Sequence, residues 1–386
     1  MNILLVNRMM GVAWGGGENF DYHVARGLQE RGHQVLVLTG KPRGESGSTI
    51  PTDIETMAVE GPYLRKYMYQ WAGKIRLLPG LMAELDLTLF GRTALDRLHG
   101  IVKQRGIHVI QVLALPRLAK RLLAEGHPVG MRFPGPPAWF QLSLLKRLAR
   151  NQKMLMYSHG DTVEYFQSRL GLSIEEVPPG VQTDVFHPAS PEERSRIRTE
   201  LGFSKDDFLL VTSGRLIPGK GHSFLLRGFR QALGRVGNLR LLVIGGGPLQ
   251  PALEQEARQL GVTQQLRFLG HQDRGAVAMY LSASDLFCLF SEYENFSNAV
   301  LEAMATGLPV MATRVGGFPL QIESGRNGYL IEPGDEAGFV RRVAELSEAI
   351  WLRGQLSRKA IQFAQQFSWK VSAGQLAALY ERLVRR

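Results

Sequence analysis

Two acids eight positions apart, Glu294 and Glu302, bracket the stretch ENFSNAVLE, which changes character between them. Residues 286–290 before it form a compact apolar run of strand length. From Asn298 onward Val300, Ala303 and Met304 recur at helical spacing, and Gly307 with Pro309 ends the pattern. Ser297 or Asn298 can cap the first turn, which leaves the backbone N–H groups of 298–301 as a site that favours an anion. Glu302 stands about one turn into the helix, and helix side chains lean toward the N-terminus, so its carboxylate is expected over that opening. A carboxylate accepts two hydrogen bonds side by side, as a vicinal diol offers them. Two such acids about a phosphate-favouring helix tip suit a ligand with hydroxyls at both ends and phosphates between, a nucleotide sugar. Taken singly, Glu302 is more simply a partner of the helix dipole and Glu294 an exposed loop acid.

A second group of candidates lies in SGRLIPGKG at 213–221, where Arg215 and Lys220 sit on a glycine-punctuated loop between a strand at 208–212 and a helix at 222–230. A diphosphate leaving group gains negative charge as its bond opens. Arg can bond two phosphate oxygens and Lys acts as a point charge, so the two can absorb that charge. No metal motif such as D-x-D stands out, and neither a metal nor a cofactor is expected. Glycines also close the strand at 241–244 (Gly245, Gly246, Gly247) and follow the strand at 3–6 (Gly15, Gly16, Gly17, then Glu18). They let backbone approach a ligand and offer it N–H groups. The latter run is not G-x-G-x-x-G, so a dinucleotide fingerprint matches poorly.

Glu294 and Glu302, followed by AMATGLPVMAT, resemble the E-x7-E signature of the family 4 retaining glycosyltransferases, nucleotide-sugar-dependent enzymes of the GT-B fold. The resemblance covers nearly the whole chain and is strongest after Val177. It implies that Glu294 holds the donor sugar and Glu302 the ribose, with Arg215 and Lys220 on the diphosphate. Gly16, Gly17 and Glu18 would face the donor phosphates and the acceptor. Gly214, Gly246, Gly247 and His271 would line the nucleotide together with Phe296, Ser297, Asn298, Ala299 and Val300. Many relatives carry a His on the acceptor side; here Arg132 and Pro134 stand nearest that place, and Arg132 is the acceptor-side candidate. Ser158 takes the position of a Ser common in the family, while His159 reads equally as surface or functional.

These residues need two frameworks to position them. A strand at 3–6, a helix from about 19 to 31 and a strand at 34–39 open the chain as a βαβ unit, which predicts a doubly wound parallel sheet with ligands at the carboxyl ends of its strands. Further strands are expected at 108–112 and 128–133. The segment 175–188, EEVPPGVQTDVFHP, reads as a hinge, and a second strand–helix alternation follows. The expected fold class is α/β, GT-B, with two Rossmann-like doubly wound parallel-sheet domains facing a central cleft. Their limits are 1–178, with a helix at 371–386 packing back on it, and 179–370, the nucleotide-sugar side.

Composition fits this reading. The chain has 386 residues, long enough for two cores, and 44% apolar content is ordinary for a globular protein. Its one cysteine, Cys288, lies in the apolar run at 286–290, so no disulfide forms within the chain and a reducing, cytoplasmic setting is expected. Net charge is +11, and ten Lys or Arg stand against one acid between 101 and 155. That concentration reads either as a footprint for polyanions or an anionic membrane face, or as solvated helix faces. Tyr63, Tyr67, Tyr69 and Trp71 interleave with Arg65, Lys66, Lys74 and Arg76 at 62–79, which suits a membrane interface or a sugar–phosphate acceptor, and a partly buried amphipathic helix with snorkelling cations would look the same. No nucleic-acid fold signature is present, and no nucleic-acid partner is expected.

The expected function is transfer of a sugar, with retention, from a UDP- or GDP-sugar to a hydroxyl on a glycan or lipid-linked acceptor, as in surface polysaccharide, lipopolysaccharide or glycolipid assembly. An epimerase or phosphorylase on the same fold is the first alternative. A non-enzymatic basic module for membrane or nucleic acid is the second.

Overall fold

The computed structural model describes residues 1–10, 15–42, 53–61 and 78–386. The aromatic and basic residues named between 62 and 77 lie outside the described residues. The chain divides into two compact units, 1–179 with 369–386, and 180–368.

The first unit is built on seven parallel strands: β1 (Asn2–Asn7), β2 (Gln34–Pro42), β3 (Thr56–Gly61), β4 (Val109–Leu113), β5 (Val129–Arg132), β6 (Met154–Ser158) and the two-residue β7 (Glu175–Glu176). Their order is β3-β2-β1-β4-β5-β6-β7. Ile3, Leu4 and Leu5 are solvent-free because helices cover both faces, which is why these strands read as unbroken apolar runs. Strand order reverses between β1 and β4, where a doubly wound sheet places its ligands.

The first helix runs Gly16–Gln29, not from 19 to 31 as its apolar spacing suggests. Gly15 takes the extended cap position, and the Asn19 amide donates to its carbonyl at 3.0 Å, so Gly16 and Gly17 form the first turn. Glycine is a poor helix former, and the capped turn overrides that weak preference. On its inner side Phe20, Val24 and Leu28 share a core with Leu376, Tyr380 and Leu383 of the helix Trp369–Val384. Those two helices touch at Gly27, where a Cβ would stand 2.6 Å from that of Ala373.

The second unit carries six parallel strands: β8 (Phe208–Ser213), β9 (Leu239–Ile244), β10 (Leu266–Gly270), β11 (Leu286–Leu289), β12 (Val310–Thr313) and β13 (Gly328–Ile331), in the order β10-β9-β8-β11-β12-β13. Its switch point falls between β8 and β11, beside the two stretches singled out above. Cys288 is fully buried in β11, and burial pushes its thiol pKa up, so it behaves as a small core residue. No helix among the described residues is long and apolar enough to cross a membrane.

One of the ten basic residues between 101 and 155 is not part of a surface. Arg132 is 1% exposed, its Nε donating to Asp21 Oδ1 at 3.0 Å and its guanidinium lying 4.3 Å from the Phe20 ring centre. His159, open between surface and function on sequence, is buried and stacks on the other partner of that arginine, Phe20, with ring centres 6.0 Å apart. Burial, with Arg132 nearby, lowers its pKa to about 3. The unfolded chain protonates this histidine below its ordinary 6.5 and the folded one does not, so its contribution to stability is complete above pH 6.5 and is lost as pH falls toward 3. His159→Gln should therefore reduce the pH slope of unfolding in that window by about 1.4 kcal/mol per pH unit. Urea titrations at several pH values check this, and an unchanged slope would count against the buried neutral imidazole.

Candidate functional site

Most of the sequence-derived candidates belong to the second unit, where three loops follow β8, β9 and β11. After β11 the chain passes Ser291 and Glu294 and enters the helix Asn298–Ala305. Ser297 is the cap: its Oγ accepts from the Val300 amide at 3.4 Å. Gln321, fully buried, fixes the backbone of that cap in both directions, accepting from the Ser297 amide at 2.7 Å and donating to its carbonyl at 3.0 Å. Ser297→Ala should cost about 1 kcal/mol, the usual weight of such a cap, read as a shift of the urea midpoint. A neutral result would mean that Gln321 alone holds the turn.

Glu294 is not the exposed loop acid that its position allows. Its side chain is 15% exposed, accepts from Ser291 Oγ at 2.9 Å and pairs directly with Lys220. The structure thus brings together a carboxylate and a cation expected at different ends of one ligand bond. Arg215 is exposed on the same loop as Lys220, and its carbonyl accepts from His222 Nε2 at 3.2 Å. That imidazole sits at the start of the helix His222–Ala232, and burial holds its pKa below the usual value.

Glu302 leans toward the start of a different helix. Its Oε1 lies 3.2 Å from Nη2 of Arg274, the first residue of the helix Arg274–Ala283, which Asp273 caps through the Ala276 amide. Arg274 also donates to Gln182 Oε1 at 2.9 Å and lies 5.0 Å over the Phe186 ring. Burial raises the Glu302 pKa and the Arg274 charge opposes the rise. The two acids therefore differ: one is clamped by a lysine and a serine, the other is held by a half-exposed arginine that a ligand hydroxyl could share.

The glycine loops lock to one another. Gly245 has φ +126, and a Cβ there would fall 1.9 Å from the Gly214 carbonyl oxygen, so only glycine lets the ends of β8 and β9 meet. The Leu216 amide then donates to the Gly246 carbonyl at 3.0 Å, and Gly246 faces the backbone of His271 just past β10. Gly247 lies close against the Leu216 backbone. Phe296 is half-buried and packs on Phe367, Val300 is fully buried, and Asn298 and Ala299 stay half-exposed in the first turn.

Gly16, Gly17, Glu18 and Arg132 belong to the first unit. Arg132 Nη2 donates to the Gly17 carbonyl at 2.7 Å, so it anchors the glycine turn from inside. Asp21, which sequence reasoning passed over, is the centre of that arrangement. Besides Arg132 it accepts from Asn7 Nδ2 at 2.7 Å and Gln111 Nε2 at 3.1 Å, and Gln111 in turn accepts from Tyr157 and Tyr380. Arg274 and Gln321 were also missed, because each meets its partner more than twenty positions away and no local pattern marks such a pair. Among the described residues no group of three His, Cys, Asp or Glu could hold a metal ion.

Residues 193–366 match the family model for glycosyl transferases group 1. That span contains every second-unit candidate named above. A D-inositol 3-phosphate glycosyltransferase of Corynebacterium efficiens is 33% identical over 214 residues, 54% of this chain and 50% of that protein, so the chain spans about half the length of the curated relatives it matches. Solved structures extend the likeness to the whole chain as fold. Sucrose-phosphate synthase from Thermosynechococcus elongatus superposes with a TM-score of 0.81 at 18% identity, covering 99% of this chain and 98% of that one. Anabaena HepE, solved with UDP and glucose, gives 0.76 at 19%, covering 99% of each. The fold is GT-B, two Rossmann-like parallel-sheet units.

Proposed function

We propose that the chain is a retaining glycosyltransferase that takes a sugar from a UDP- or GDP-sugar and passes it to a hydroxyl acceptor without a metal. The observation that carries this reading is the arrangement around the Ser297-capped helix. Two mostly buried acids, each already opposite a cation, flank one helix tip inside the segment that matches group 1 glycosyl transferases.

In this reading Glu302 accepts from the ribose hydroxyls and Arg274 keeps it ionised there. Glu294 accepts from the sugar, its orientation set by Ser291 and Lys220. Lys220 and the exposed Arg215 take up the charge that grows on the departing diphosphate, assisted by the positive end of the helix at Asn298. Catalysis then rests on position and preorganised charge, with the acceptor hydroxyl attacking on the face the phosphate leaves. An acceptor of glycan or lipid-linked type and a place in surface-glycan assembly belong to the same proposal, as do a cytoplasmic location and contact with an anionic membrane.

Binding of free nucleotide tests the ribose assignment. Glu302→Gln should weaken UDP or GDP by roughly ten- to a hundredfold, the cost of losing hydrogen bonds to a charged group. The wild type should also lose nucleotide affinity as pH drops through the raised pKa of Glu302, because only the carboxylate accepts two hydroxyls, whereas the Gln variant should show no such loss. Calorimetric titrations at several pH values read both effects. Equal affinity in the variant refutes the assignment.

A further inference from the structure

Arg215 and Lys220 stand on one loop, 214–221, and are held in different ways. Lys220 is paired with Glu294. The Arg215 guanidinium is exposed and has no side-chain partner among the described residues, so its direction follows from where the loop places its backbone. Gly214, Gly219 and Gly221 all take positive φ, and a loop with three such glycines has more conformations to lose than an ordinary one.

The loop is anchored in two halves. In the first, the Gly214 amide donates to the Ile244 carbonyl and the Leu216 amide to the Gly246 carbonyl, each at 3.0 Å, which ties it to the end of β9. In the second, the Gly219 carbonyl accepts from the Glu292 amide at 2.8 Å. Gly221 lies so close to Phe290 that a Cβ would fall 1.9 Å from its carbonyl oxygen, which ties this half to the segment after β11. His222 joins the halves. From the first turn of the helix His222–Ala232 its Nε2 donates to the Arg215 carbonyl at 3.2 Å.

Its place in that helix makes the residue type informative. His222 is 6% exposed and continues the buried stripe of Leu225, Leu226 and Phe229, where an apolar side chain would pack without desolvating a polar ring. Burial holds the imidazole pKa below its usual value, so at neutral pH it adds no cation to the loop. The carbonyl does not need the histidine for its own sake, because the Ile217 amide also donates to it at 3.0 Å. What the ring adds is a fixed place for Arg215 relative to the helix.

We infer that His222 is a positioning residue for sugar transfer: it holds the Arg215 backbone across the glycine loop so that the guanidinium meets the departing diphosphate. This rests on the transferase reading above, in which Arg215 takes up charge from the leaving group. A double-mutant cycle on the full chain tests it. H222L and H222F remove the donor and keep the site apolar, H222Q offers an amide N–H in its place, and the first two are also combined with R215M. Turnover is read as UDP or GDP released from the member of a panel of UDP- and GDP-sugars that raises the thermal midpoint most, and donor KM and the midpoint of each variant are measured alongside.

H222L and H222F should lower kcat by about tenfold or more with a much smaller change in donor KM and a midpoint close to wild type, and H222Q should recover most of the lost rate. In the R215M background the same changes should cost less than about twofold, because the residue they misplace is already gone. A histidine with only a structural role would instead lower the midpoint and add its cost to that of R215M. Normal kcat in either donor-less variant, an additive loss, a midpoint that falls along with the rate, or no recovery in H222Q overturns the proposal while leaving the transferase reading in place. A wild type that releases nucleotide from no member of the panel overturns that reading and the role of His222 with it.

Discussion

Replacing Arg215 and Lys220 together by methionine is expected to lower kcat by about a thousandfold or more, with a much smaller change in donor KM. Removing one preorganised group aimed at developing charge already costs about a hundred- to a thousandfold. The diphosphate carries charge before reaction, so both residues bind it in the ground state. Their attraction grows as the bond to the sugar opens, and that growth appears in kcat. Lys220→Met alone should be worse than Arg215→Met alone. Lys220 also orients Glu294, which would be left with Ser291 as its remaining partner, whereas Arg215 is exposed and can go without disturbing either acid. Steady-state kinetics with the donor that gives the largest thermal shift would measure this. A double variant with normal turnover would mean that the charge of the leaving group is met elsewhere.

The largest effect on stability is expected at Asp21. It and Arg132 are each 1% exposed, and Asp21→Ala would leave a guanidinium inside the first unit with only the Gly17 carbonyl and the face of Phe20. Breaking a buried pair from one side costs about 3–5 kcal/mol, far above the usual price of a surface substitution. Burial holds the Asp21 pKa above the usual carboxylate value even beside Arg132, which shows how much desolvation the pair carries. Asp21→Leu combined with Arg132→Met should therefore recover much of the loss, because an apolar pair needs no charge compensation. Urea unfolding followed by tryptophan fluorescence would separate the cases, since Trp369 sits in the same core as Phe20. A single variant costing less than about 1 kcal/mol would show that water reaches the arginine.

Much of the scaffold is legible in the sequence because its signals are local. Runs such as 208–212 and 286–290 are apolar, β-prone and bounded by an Asp before and a Ser after, and they become central strands to within a residue. The Ser297 cap is readable for the same reason. What sequence hides is who stands opposite whom. Glu302 looks like an acid at a helix start, yet its ionisation depends on Arg274, twenty-eight positions earlier and on another helix. The charge count at 101–155 treats Arg132 as one more surface cation, although topology carries it to the end of β5 beside Asp21. The glycines at 15–17 read as a loop because their intrinsic preference is non-helical, while the fold uses two of them as a helix start that Arg132 ties down.

The helix Trp369–Val384 completes the core of residues that precede it by more than three hundred positions. On the ribosome this reverses the usual order of events. The strands of 180–368 emerge as a finished set and can settle at once, while the opening strands, although made first, wait with Phe20, Val24 and Leu28 uncovered until Leu376 and Tyr380 arrive. The older half of the nascent chain is thus the last to close, since its core lacks one wall until the helix Trp369–Val384 has been made.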